Sequence, residues 1–141
     1  MDRRLFLIST LALAGCGDGD RPQTILCDPG LGVPLTRARE AYGEIGAIAL
    51  YEARPAALLS RAKAERSALV VTRQALIANQ LQRLGYVRLE HRWQARIGPE
   101  TAEIMVTKGD GGAQRKAVSF ARWLASEAAM PVLADAPPIA P

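Results

Sequence analysis

The sequence predicts an α/β fold: a three-layer domain with a mostly parallel sheet of about five strands, helices on both faces and one antiparallel edge hairpin. Three observations lead there. Short apolar runs alternate with stretches of helical periodicity through the first half of the chain, and such runs read as strands buried on both faces. The connections between them are short, which suits parallel strands joined by right-handed crossovers. From Tyr86 to Ile97 the pattern changes to strict alternation, the period of a strand with one dry and one charged face.

Each element has its own local cause. Thr24-Ile25-Leu26-Cys27 is an apolar run stopped by Asp28-Pro29-Gly30. Pro34 then supplies a helix start, Leu35, Ala38 and Tyr42 share a face, and Gly43 closes the helix. Ala47–Tyr51 is the second apolar run. Pro55 opens a second helix with Leu58, Leu59 and Ala62 inward, ending in the charged Lys63–Arg66. Ala68–Val71 is the third run, and Thr72 stands where it can cap a helix carrying Leu76, Ile77, Gln80, Leu81 and Leu84, closed by Gly85.

In the alternating strand, Val87, Leu89, His91, Trp93, Ala95 and Ile97 fall on one side, with Arg88, Glu90, Arg92, Gln94 and Arg96 on the other. Gly98-Pro99 breaks it, and Ala102–Thr107 forms the hairpin's second strand. A glycine-rich loop, Lys108–Gly112, leads into a last helix from Ala113 to Met130. The Pro-Ala-rich segment 131–141 is expected to be a disordered tail.

The chain has 141 residues and a formal net charge of +4 without a polybasic block, so nucleic acid is not an implied partner. Its two cysteines, Cys16 and Cys27, make no disulfide framework, and Cys27 inside an apolar strand reads as a buried, inert thiol.

The N-terminus carries Arg3-Arg4, the apolar run Leu5–Ala14, and then Leu13-Ala14-Gly15-Cys16. A positive start, an apolar run and small residues before a cut make a secretory signal. The last four residues resemble the lipobox of bacterial lipoproteins. The resemblance implies residues 1–15 as signal peptide and a lipid on Cys16, the first residue of the mature chain. Residues 16–23 become a flexible tether on the periplasmic side of a membrane. Several acyl chains at about 0.8 kcal/mol per buried CH₂ hold such a protein firmly. The run is about half the twenty residues a spanning helix needs. Arg3-Arg4-Leu5-Phe6-Leu7 is also similar to a twin-arginine export signal, so both export routes stay open.

Over residues 24–130 the order of elements is similar to one lobe of type II periplasmic solute-binding proteins, the class that contains the molybdate-binding proteins of ABC importers. Ile25–Gly32, Ala102–Lys108 and the closing Ala117–Ala128 with its Ser126-Glu127 carry the resemblance. It implies a non-catalytic role without cofactor: capture of a small solute, or assistance to an ABC permease. In the family the chain leaves the lobe after its fourth strand, builds a second lobe and returns. Here only Gly98-Pro99-Glu100 stand between exit and return, so a single lobe is expected.

Strand ends are the default crevice of an open α/β sheet. Asp28, Gly30, Glu52, Arg54, Thr72 and Arg73 are therefore the candidate ligand-binding residues. Asp28 and Glu52 disfavour an oxyanion, Pro29 and Pro55 remove N–H donors, and Thr72-Arg73 is compatible with one. The alternative role is an accessory envelope lipoprotein that has lost ligand binding and acts through protein contacts. His91 on the dry face reads as a core residue without metal partners. Arg88, Arg92 and Arg96 read as a solvated edge, and Gly109–Gly112 as an ordinary loop. The serines lack the base and orienting group that nucleophilic catalysis needs.

Overall fold

Among the described residues the computed structural model places the first strand, β1 (Gln23–Cys27), beside two parallel neighbours. The described residues are 23–43, 45–46 and 48–135; the expected signal peptide, Cys16 and the segment 136–141 lie outside them. The order continues α1 (Gly32–Tyr42), β2 (Ile48–Glu52), α2 (Pro55–Ala64), β3 (Leu69–Thr72), α3 (Ala75–Arg83), β4 (Val87–Ile97), β5 (Glu100–Thr107) and α4 (Gly111–Leu124). A 3-10 turn (Glu127–Ala129) and α5 (Met130–Leu133) complete it.

The five strands form one sheet in the order β2-β1-β3-β5-β4. β1 pairs in parallel with β2 and with β3, while β5 runs antiparallel to both β3 and β4. The sheet is therefore mixed, where the sequence predicts a mostly parallel one. The cause is the turn at Gly98-Pro99: a connection this short can join only antiparallel strands, and β5 is then taken into the interior next to β3.

Alternation sorts the apolar side chains of the central strands into two layers. Ile25, Cys27, Leu69, Val71, Ile104 and Val106 meet α1, α4 and α5 on one face. Leu26, Val70 and Met105 meet α2 and α3 through Leu58, Ala62, Ile77, Ala78 and Leu81 on the other. β3 is buried along its whole length, as a continuous apolar run between two helical layers must be. In the first layer Tyr42 packs against Phe120 and Trp123, with ring centroids 5.1 and 5.4 Å apart.

Four sequence expectations need correction. Gln23, assigned to the tether 16–23, is the first residue of β1; it is buried and its amide donates to the Ser67 carbonyl at 2.9 Å. The dry face of β4 is interrupted, because pairing passes from Val87↔Thr107 to Arg92↔Met105 and the intervening residues bulge. Leu89, in that bulge, is 71% exposed.

The last helix stops at Leu124 instead of Met130, where the Ser126 hydroxyl donates to the Trp123 carbonyl and competes with the helical ladder. The segment 131–141 is not wholly a disordered tail: Pro131 lies in the first turn of α5, Leu133 is buried in the core, and its carbonyl accepts the Gly98 N–H at 2.8 Å. α5 thus braces the β4–β5 turn. Leu133→Ala should cost about 2–5 kcal/mol, the range for truncating a buried leucine, read as a lower urea midpoint with an unchanged slope.

Candidate functional site

The carboxyl ends of β1, β2 and β3 lie side by side and bring most of the candidate residues to one end of the sheet. Asp28 is the centre. It is 4% exposed, and its carboxylate accepts the Thr72 hydroxyl at 2.8 Å and the Arg73 backbone N–H at 2.6 Å. The Arg73 side chain folds over it, with Nε 3.8 Å from Asp28 Oδ2 and 3.8 Å from Glu100 Oε1. The Thr72 oxygen also accepts the Gln74 N–H at 3.0 Å, but Gln74 is itself the N-cap residue of α3 and no side chain caps that helix, so Thr72 stands too early in the chain for the expected capping role. A hydroxyl beside a carboxylate is a possible nucleophile and base in form. Thr72 is fully buried, however, and its proton is engaged in tying β3 to β1.

Glu52 takes a different place. Its Oε2 accepts the Gly32 N–H at 2.8 Å, at the first residue of α1. The positive end of that helix dipole, where an anionic ligand would be favoured, is met by the protein's own carboxylate. Only glycine permits the approach: a Cβ on residue 32 would lie 2.5 Å from Glu52 Oε2. Gly30 has φ 92° in the turn between β1 and α1, a left-handed conformation that glycine adopts without penalty. Arg54 stands apart and exposed before α2, where its backbone carbonyl accepts the Leu58 N–H. Of the six candidates, Asp28, Thr72 and Arg73 are thus brought together, with Gly30 in the adjoining turn and Glu52 at the end of β2.

Sequence reasoning missed two residues in such networks. Glu100 joins Arg73 from the start of β5, and nothing local marks it. Glu103 on β5 is buried, and its carboxylate accepts Arg92 Nε at 2.9 Å and Gln94 Nε2 at 2.8 Å. Arg92 also donates to Gln82 and Asn79 of α3 at 2.8 and 3.0 Å, so it is a tether between sheet and helix rather than a solvated charge. Gln82, Arg92, Gln94 and Glu103 border, with Leu89 and Trp93, an open cavity of about 500 Å³. His91 is half-buried, stacks on Trp93 at 6.1 Å between centroids and contacts Gln114 through Nδ1 at 3.3 Å. Among the described residues no group of three or more His, Cys, Asp or Glu side chains is placed to hold a metal ion, and no helix is long and apolar enough to cross a membrane. The chain matches no protein-family model, and no curated protein matches it.

Cys27 is fully buried immediately before Asp28. Burial, then the nearby Glu52 and Asp28 carboxylates, push its thiol up from 9.0 to about 12. The thiolate is the reactive form, so at pH 8 the native thiol should react with an aromatic disulfide reagent on the order of a thousandfold more slowly than in urea. A thiol held protonated by folding contributes stability that is complete below its unfolded value and is lost as pH rises through its folded one. The stability advantage of the wild type over Cys27→Ala should therefore shrink as pH rises from about 9 toward about 12. Parallel urea titrations of the two proteins across that window measure it.

Gly32→Ala should lower stability by about 0.5–1.5 kcal/mol, because the Glu52 carboxylate is displaced and a part-buried hydrogen bond is lost. In the Glu52→Ala background the same substitution should cost much less, a non-additivity that a double-mutant cycle of urea midpoints reads directly.

Proposed function

We propose that this chain is a lipid-anchored envelope protein, acylated on Cys16 and exposed on the periplasmic side of a bacterial membrane. Its α/β lobe is of the solute-binding-protein kind and acts without catalysis or cofactor. Of the two roles that kind of lobe suggests, the geometry favours the accessory one: contact with an envelope protein such as an ABC permease, in place of tight solute capture.

One observation carries this choice. At the strand ends, where a ligand would sit, the acceptors and donors are spent on one another. Asp28 takes the Thr72 hydroxyl and Arg73 N–H, and Glu52 takes the Gly32 N–H of α1. An incoming anion would have to displace two internal carboxylates, and no second lobe follows β4 to enclose it, because β5 begins after Gly98-Pro99. Tight small-molecule sites bury most of the ligand's surface. The proposed kinship rests on the order of elements and on Ile25–Gly32, Ala102–Lys108 and the closing Ala117–Ala128; the short return at Gly98-Pro99, where the family inserts its second lobe, is the point of departure.

The proposal is tested in two arms. Cys16→Ala should move the protein from the membrane fraction to the soluble one; unchanged membrane association removes the anchor. The wild-type protein should show no concentration-dependent rise in melting temperature with molybdate, phosphate, amino acids or sugars at millimolar levels. Binding at a hundred times Kd would add about 2.7 kcal/mol, so a dose-dependent rise with any of them overturns the accessory role in favour of solute capture.

A further inference from the structure

The two edges of the sheet are built differently. β4, the outer strand on one side, carries the exposed Arg88, Glu90 and Arg96 and breaks its ladder with a bulge, the usual devices that keep an edge from pairing with another chain. β2, on the other side, has none of them. Its sequence is Ile48-Ala49-Leu50-Tyr51-Glu52, uncharged until the last residue and free of proline. It keeps unbroken register with β1 from Gln23↔Ile48 to Cys27↔Glu52. Among the described residues no strand pairs with its outer side. Ile48, Ala49 and Leu50 are half-buried and Tyr51 is 44% exposed.

We propose that the occupant of this edge is β2 of a second copy of the chain, paired antiparallel about a two-fold axis to give one continuous ten-stranded sheet. Charge decides for a second copy. In an isologous pair a strand faces itself, and like charges directly opposite one another are destabilising. β4 would set arginines near arginines, whereas β2 has no charge between residues 48 and 51 to oppose. Side chains that face one another across a ladder must lie on the same face of the sheet, which restricts the register to residues differing by an even number. The register using all five residues centres on Leu50: Leu50 meets its own copy, Ala49 meets Tyr51, and Ile48 meets Glu52. No carboxylate meets a carboxylate. An axis perpendicular to the sheet also keeps each helical layer on its own side, so α1 and α2 of the two copies continue the existing layers. This pairing is independent of the lipid anchor and of any solute.

The register makes a sharp test possible. Directly opposed residues in an antiparallel pair have Cα atoms about 4.5–5.5 Å apart, inside the range a disulfide spans. In the full chain, Leu50→Cys should form a disulfide-linked dimer on mild oxidation in isolated membranes. Leu89→Cys, on the opposite edge and more exposed than Leu50, should remain monomeric. The Ala53 N–H donates to the Cys27 carbonyl of β1, so along β2 the N–H groups of Ile48, Leu50 and Glu52 turn outward. Adding Ile48→Pro to Leu50→Cys should therefore abolish the crosslink, with retained circular dichroism showing that the fold persists. Wild-type protein in density-matched detergent should sediment as a dimer at tens of micromolar, which covers the case in which the cysteine variant folds poorly. A monomer at all concentrations, or crosslinking of Leu89→Cys as efficient as that of Leu50→Cys, overturns the proposal.

Discussion

A carboxylate enclosed at the end of an apolar sheet sets the terms for everything around it. Asp28 follows a strand whose last three residues are fully buried, and desolvating its charge is costly unless hydrogen bonds compensate. The fold supplies them from β3, through the Thr72 hydroxyl and the Arg73 N–H, and lays the Arg73 side chain across the pair. That one requirement fixes the relative ends of β1 and β3, positions the first turn of α3 through Gln74, and draws Glu100 of β5 to the same point. It also leaves Cys27 in surroundings that hold its thiol protonated.

What the sequence made legible was local, and what it hid was not. β1 to β3 and α1 to α3 could be placed because an apolar run, a Pro near a helix start and a Gly after its end act within a few residues. Gly43 and Gly85 do sit at positive φ behind their helices. The mixed character of the sheet was hidden because it depends on which neighbour β5 chooses, and β3 lies some thirty residues away in sequence. The bulge before Arg92 was hidden for a similar reason: the alternation Val87, Leu89, His91 is a perfect strand pattern that pairing to β5 overrides. Composition alone places Gln23 and Leu133 in flexible ends, yet each has a partner inside the domain, the Ser67 carbonyl and the Gly98 N–H.

The candidate site was legible as a place but not as a state. The rule that open α/β sheets use their strand ends gathered Asp28, Gly30, Glu52, Thr72 and Arg73 correctly into one neighbourhood, with Arg54 at its margin. Nothing in the residue types said that Glu52 would reach back twenty positions to the Gly32 N–H, or that Asp28 would be consumed in joining strands. The opposite end of the sheet is equally self-sufficient. There Ser67 donates to Gln114 at 2.8 Å, Gln23 donates to Ser67, and Gly109 leaves room that no side chain could share.

The place of β5 between β3 and β4 has a kinetic consequence. β4 and β5 are joined by a two-residue turn and can zip together as an independent hairpin on the microsecond scale. β1, β2 and β3 are linked by their own short crossovers and form a second unit. Neither is complete, since β3 exposes a bare apolar rim until β5 reaches it. The seam between β3 and β5 joins the two units, and α4, which follows β5 in the chain, packs across both. A nascent chain halted before β5 would leave the apolar edge of β3 open to its neighbours.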